Sequence, residues 1–286
     1  MKILVLGKNG QVARELNNFS NIISLGSEKI NFLDLQNCQK EILKTDPDII
    51  INTAAYTDVE EAEIKKEKAM ILNCDAPGLI AKIAEDKKIP FIHLSTDYVF
   101  GDNGEVPLKE TDNTKPLGVY GLSKLLGEEK IQHTNAQYLI LRTSWIFSKY
   151  KNNFLDTMID LSKKRTTIKI VADQVGSPTE ASDIAKICIF LSNILVKNKG
   201  IKGIYHYSGF PYVSWADFAR KIFDITNSKI IVENISTSEY SSRVKRPLNS
   251  RLDCNRIKKE FNVDQPLWEK SLEKVLRELK LNDNKT

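Results

Sequence analysis

Ile3-Leu4-Val5-Leu6-Gly7-Lys8-Asn9-Gly10-Gln11-Val12-Ala13 begins with four apolar residues in a row and turns at once into glycine. The apolar run matches a strand buried on both faces. Val12, Leu16 and Phe19 then recur at helical spacing. Strand, glycine turn and amphipathic helix form the first half of a βαβ unit. Gly7 permits the tight turn, and Gly10 lets a pyrophosphate approach backbone N–H groups at the helix N-terminus. Ala13 keeps the helix close to the strand. The spacing is Gly-x-x-Gly-x-x-Ala, not the commoner Gly-x-Gly-x-x-Gly. A plain tight turn uses glycine in the same way, so the dinucleotide reading rests on the flanking strand and helix.

The alternation continues outward. Ile22 to Leu25, Asp48 to Asn52, Phe91 to Leu94 and Gln137 to Arg142 read as strands. Helical patterns lie between them: a short one after Asp34, a long one over Lys66 to Asp86, and one over Tyr120 to Gln132. Pro77 predicts a kink or break in the long helix. This order predicts a doubly wound, Rossmann-like α/β fold with a parallel sheet. A dinucleotide-binding domain is expected over 1–150. Scattered short elements over 151–286 predict a smaller C-terminal α/β lobe that binds substrate, with roughly 168–203 returning to the sheet domain. Lys229 to Val232 reads as a strand and Glu233 to Pro247 as loop-rich. A cleft is expected between the lobes, beyond the carboxyl ends of the strands.

Composition excludes several classes. The chain has 286 residues, 41% hydrophobic and 28% charged, which argues against a fibrous or disordered protein. A net charge of +5 at this size does not make a nucleic-acid binder. Cys38, Cys74, Cys188 and Cys254 form no Cys-x-x-Cys unit, so reduced thiols are expected rather than disulfides or a zinc site. No apolar window suits a signal peptide or a membrane span, which predicts no membrane partner and a cytoplasmic setting.

The residues that carry chemistry follow the strands. Tyr120 and Lys124 stand four apart at a helix start and share one face. An ammonium close to a phenol lowers the phenol's pKa. Tyr120 can then protonate a carbonyl oxygen as hydride reaches its carbon, while Lys124 reaches the nicotinamide ribose. Thr96, at the end of the fourth strand, can donate to the same oxygen. Asp97 and Tyr98 beside it can shape a substrate pocket; a turn cap and a packed aromatic are their alternative roles. Ala54 and Ala55, with Tyr56, would let a flat cofactor lie across the tip of strand three. Asp34-Leu35 can touch an adenine or cap a helix. Glu28 suits the ribose of NAD, whereas Ser27 and Lys29 suit a 2′-phosphate; Lys29 tilts the choice to NADP.

An ordered set of segments resembles the dTDP-4-dehydrorhamnose reductase family of the extended short-chain dehydrogenase/reductase superfamily. The set comprises Gly7 to Gln11, Asn52 to Glu60, Ser95 to Phe100, Tyr120-Gly121-x-Ser-Lys124, Arg142 to Trp145, Asp173 to Thr179 and Arg246-Pro247-x-x-Ser250-x-Leu252. The resemblance implies reduction of the C4 keto group of a dTDP-sugar, dTDP-4-dehydro-6-deoxy-L-mannose, by NADPH or NADH. It implies Thr96, Tyr120 and Lys124 as the catalytic trio. It places Gly7, Gly10, Gln11, Val12, Asp34, Leu35, Ala54, Ala55, Tyr56 and Lys124 on the cofactor surface. Thr96, Asp97, Tyr98, Tyr120, Trp145 and Arg246 fall around the substrate. Trp145 can stack on a pyranose or be a partly buried core residue. Arg246 can hold a pyrophosphate, and without the resemblance it reads as part of a solvated loop. A homodimer is expected, and Mg2+ is implied for some members, although no dense carboxylate motif is present to receive it. Two rivals follow: another nucleotide-sugar 4-ketoreductase, and a non-catalytic subunit like the regulatory subunit of methionine adenosyltransferase.

Overall fold

A computed structural model describes residues 1–102, 104–150 and 152–283. β1 (Ile3–Leu6) is buried throughout. Ile3 and Val5 enter one core with Val12 and Leu16 of α1 (Gln11–Leu16), while Leu4 and Leu6 face a second core on the other side. Strand side chains alternate in direction, so only an unbroken apolar run satisfies both layers. β2 (Ile22–Leu25) pairs parallel with one edge of β1. α2 (Leu35–Thr45) then leads to β3 (Ile49–Asn52) on the other edge.

α3 (Val59–Ile64) and α4 (Lys66–Met70) follow, then a π-helical turn over Ile71–Asp75 and α5 (Ala76–Lys87). The irregularity expected at Pro77 therefore lies one turn upstream. Pro77 sits in the first turn of α5, where its missing N–H costs little. β4 (Phe91–Thr96), a short 3-10 turn (Asp97–Val99), α6 (Val119–Gln132) and β5 (Tyr138–Thr143) complete this half.

The remaining elements are β6 (Ile146–Phe147), α7 (Phe154–Ser162), β7 (Thr167–Val171), β8 (Val175–Gly176), β9 (Thr179–Glu180) and α8 (Ala181–Lys197). β10 (Gly203–His206), β11 (Val213–Ser214), α9 (Trp215–Thr226), β12 (Ile231–Ile235), α10 (Asn255–Phe261) and α11 (Trp268–Asp283) close the chain. Six strands form the main sheet in the order β10-β5-β4-β3-β1-β2, every pair parallel. The chain reverses direction across the sheet between β1 and β3. A ligand crevice opens at such a point.

A third core gathers Leu155, Met158, Ile168, Ile170, Phe218, Ile222, Trp268 and Leu272 from α7, β7, α9 and α11. The stretch 168–203 divides between the two units. β7 pairs with β12 beside this third core, whereas α8 packs on α1 and β10 joins β5 in the main sheet. β12 also runs on to Ile235, into the stretch read as loop. Its residues are largely exposed, so a single two-stranded edge leaves little apolar alternation in the sequence. The four cysteines are free thiols and buried. Among the described residues no helix is long and apolar enough to cross a membrane.

Candidate active site

The glycine turn sits directly against the tip of β3. Gly7 has φ +97°, and its N–H donates to the Leu25 carbonyl at 3.0 Å. A Cβ at Gly7 would stand 2.7 Å from the Ala54 nitrogen. Both the backbone conformation and the contact therefore require glycine. Gly7→Ala is expected to destabilise the fold by about 1–3 kcal/mol and to weaken nucleotide binding; urea denaturation and a fluorescence titration with NADPH check the two effects.

A cavity of about 290 Å³ opens beside this contact. Gly10, Gln11 and Val12 line it from the turn, Ala55 from the β3 tip, and Tyr120 and Lys124 from α6. Of the remaining cofactor candidates, Ala54 packs its backbone on Gly7. Tyr56 is buried, and its hydroxyl donates to Glu61 at 2.7 Å. Asp34 accepts the Gln36 and Asn37 N–H groups and so caps α2, and neither it nor Leu35 lines the cavity. Glu28, after β2, is held 3.0 Å from the Lys8 ammonium.

Thr96, Asp97 and Tyr98 leave β4 toward the same place as Tyr120. The Thr96 hydroxyl accepts the Tyr98 N–H at 3.2 Å and donates to Asp97 at 3.1 Å. Tyr98 and Tyr120 pack edge to face with centroids 5.5 Å apart. Burial pushes the Asp97 carboxyl up to about 6, with the Ser250 and Thr96 side chains opposing, and leaves its Oδ2 without a partner. Arg246 reaches this cluster from the chain after β12. It interacts with Tyr98, and its Nε is buried and unpartnered. Arg246 also borders two open cavities, one with Arg243, Glu60 and Glu61 and one lined by Phe154, Met158, Trp215 and Tyr240. Its Nη2 lies 3.9 Å from a Glu60 carboxylate oxygen, and a guanidinium so placed at a cavity edge can hold an anionic ligand with its remaining N–H groups.

One expectation changes. The phenol of Tyr120 is raised above its ordinary value by burial, with the Thr96 side chain opposing, and Lys124 is not among the groups that act on it. The Lys124 ammonium is drawn instead to the Leu94 carbonyl at 2.7 Å and to His93 Nε2 at 3.1 Å. A four-residue spacing places both side chains on one face but does not fix where a long lysine stem ends. Trp145 has φ +48° and stacks face to face on Trp215, with centroids 3.6 Å apart. Its ring also lies over Gly176, where a Cβ would come within 2.6 Å of it. This is the packed role that the residue type alone left open.

Sequence reading missed several residues of the site. His93 and Asn52 underlie Lys124, and Asn73 of the π turn clamps Tyr56 to Ser123 of α6. Glu128 and Arg142 form a buried ion pair beneath α6, and Ser95 donates to Glu128. The usable signal was a polar residue inside an otherwise apolar strand, as with His93 in Phe91 to Leu94. Among the described residues no group of three or more His, Cys, Asp and Glu side chains could hold a metal ion. Glu15 and Glu278 each pair with the Lys149 ammonium, at 3.5 and 2.9 Å.

Comparisons with known proteins identify the family. The model of the RmlD substrate binding domain matches residues 1–281. A dTDP-4-dehydrorhamnose reductase of Sinorhizobium fredii is 38% identical, over 96% of this chain and 97% of its own. The crystal structure of dTDP-4-dehydrorhamnose reductase from Bacillus anthracis in complex with NADP superposes with a TM-score of 0.91 at 33% identity, covering 97% of this chain and 100% of that one. A dTDP-4-dehydrorhamnose reductase structure from Clostridium acetobutylicum gives 0.92 at 31%, covering 98% and 100%. The chain belongs to the RmlD family of dTDP-4-dehydrorhamnose reductases.

Proposed function

We propose that this protein reduces the C4 keto group of dTDP-4-dehydro-6-deoxy-L-mannose (dTDP-4-dehydrorhamnose) to give dTDP-L-rhamnose, using NADPH or NADH. The observation that carries the reading is one cavity whose walls are the glycine turn, the β3 tip and the Tyr120-Lys124 face of α6. When bound there, the coenzyme supplies the hydride that adds to C4. Tyr120 holds the proton that completes the reaction at O4. Its raised pKa keeps the phenol protonated at neutral pH, which suits an acid in the direction of reduction. Thr96 stands beside it as the second group facing the oxygen, a position where donors stabilise developing negative charge. Gln11, held by the Ser148 hydroxyl at 2.6 Å, and Val12 bound the coenzyme side. Asp97, Tyr98 and Arg246 bound the sugar and phosphate side, with Trp145 shaping the second lobe. The sheet domain thus carries the coenzyme and the lobe carries the nucleotide-sugar. A cytoplasmic homodimer belongs to the same reading, on the strength of the family resemblance.

The test is a panel of purified dTDP- and other nucleotide-linked 4-keto sugars assayed with each coenzyme. Loss of NADPH or NADH absorbance with the dTDP-L-sugar, faster than with its rivals, is the expected result. A faster reaction with a different nucleotide-sugar would assign another 4-ketoreductase. Absence of turnover, together with binding of methionine adenosyltransferase, would assign a regulatory subunit.

A further inference from the structure

Tyr120 lies in the first turn of α6, and that turn begins without a cap of its own. The N-cap position is Gly118, which has no side chain to offer, and the helical ladder starts with the Leu122 N–H donating to the Gly118 carbonyl at 3.0 Å. The first N–H groups of a helix need partners from outside it. Val119 finds one on another element, because its N–H donates to Oε1 of Glu63 in α3 at 2.7 Å. Glycine makes room for this contact. A Cβ at Gly118 would stand 2.6 Å from the same Oε1. At Gly121 a Cβ would come within 2.2 Å of the Tyr98 carbonyl oxygen. The turn that carries Tyr120 is therefore gripped at two glycines, by α3 at one and by the segment after β4 at the other.

α3 has six residues, shorter than the roughly 12 that an isolated helix needs, so its neighbours hold it in place. Asp58 caps it by accepting the Glu61 N–H at 2.9 Å, and Glu61 accepts the Tyr56 hydroxyl at 2.7 Å. Ala62 is buried with Tyr56 and Ala69, and Val119 and Tyr120 pack against that group. Glu60 lies 3.5 Å from the Ser242 hydroxyl and 3.9 Å from Arg246 Nη2. The glutamates of one short helix thus reach the β3 tip, the second lobe and α6.

We infer that Glu63 is a positioning residue, which closes the N-terminus of α6 from α3 and fixes the turn that presents the Tyr120 hydroxyl. The inference rests on Tyr120 being the proton donor of the reaction proposed above. A carboxylate suits the place twice, since it accepts the Val119 N–H and since a helix N-terminus favours negative charge. Proton transfer requires the phenol within hydrogen-bond reach of O4. A small displacement there costs rate, while the coenzyme side of the cavity keeps its shape.

Amide hydrogen exchange on the intact enzyme, without substrate, reads the cap directly. In Glu63→Ala the Val119 amide should exchange about fivefold faster than in the wild type, the size set by loss of one helix cap. In turnover the same variant should lose about tenfold to a hundredfold in kcat, with its Kd for NADPH within about threefold of the wild type. Glu63→Gln keeps an acceptor oxygen at the same reach and should restore kcat to within about threefold. Wild-type exchange at Val119 in Glu63→Ala or an unchanged kcat would overturn the inference. So would an equal loss of NADPH affinity, or a Glu63→Gln variant as slow as Glu63→Ala. The exchange measurement needs no substrate, so a failure of this inference and a failure of the keto-sugar reading are told apart.

Discussion

Tyr120→Phe is expected to lower turnover by about a hundredfold to ten-thousandfold, the range set by loss of a general acid. The substitution removes one oxygen and keeps the ring, so the edge-to-face contact with Tyr98 survives. The cavity wall formed by Gly10, Gln11, Val12 and Ala55 is untouched. Affinity for NADPH should therefore change by less than about threefold, well under 1.4 kcal/mol. Steady-state absorbance at saturating substrate reads the first effect, and fluorescence quenching by coenzyme reads the second. Near wild-type turnover in the variant would remove Tyr120 from the chemistry. Equal loss of coenzyme binding would make its role structural.

The largest stability effect should come from Glu128→Ala. Arg142 donates to Glu128 from Nη2 at 2.6 Å and from Nε at 3.0 Å, and both side chains are essentially inaccessible to water. The guanidinium also lies 4.9 Å from the centre of the Phe100 ring. Its Nη1 already lacks a partner. Deleting the carboxylate leaves a buried cation with no counter-charge, at a cost of about 3–5 kcal/mol. Replacing both residues, as in Glu128→Leu with Arg142→Met, removes the stranded charge and should recover most of that loss. Urea denaturation of the two variants measures the difference. A single variant as stable as the wild type would mean that the pair contributes little beyond its own desolvation.

These two predictions differ in how much of their basis the sequence displays. The glycine turn was legible because a fully buried strand needs an unbroken apolar run, and Ile3 to Leu6 has one. The same logic exposed β3, β4 and β5, so the parallel sheet could be drawn from the residues. Thr96 and Tyr120 were legible because both follow strands whose carboxyl ends face one crevice. The pair of Glu128 and Arg142 was not legible as a pair. Two charges fourteen residues apart show nothing until a helix folds back on the strand after it. Lys124 was legible as a position and misread as a partner. Its ammonium serves His93 and Leu94, a choice made by the depth of β4 and not by the spacing to Tyr120. Trp145 and Trp215 stack across seventy residues of sequence, so the packed role of Trp145 emerges only when the second lobe closes. The far end of β12, Glu233 to Ile235, escaped notice for the opposite reason, since an exposed edge strand has no buried face to impose a period.

The central claim is a hydride transfer to a sugar ketone within the cavity shared by the glycine turn and Tyr120. The most direct measurement follows the hydrogen itself, with coenzyme deuterated at nicotinamide C4 on each face in turn and the sugar product analysed by NMR. One of the two labelled coenzymes should place deuterium on C4 of dTDP-L-rhamnose, and the other should not. A reduced sugar without deuterium from either, or no reduced sugar at all, would contradict the account.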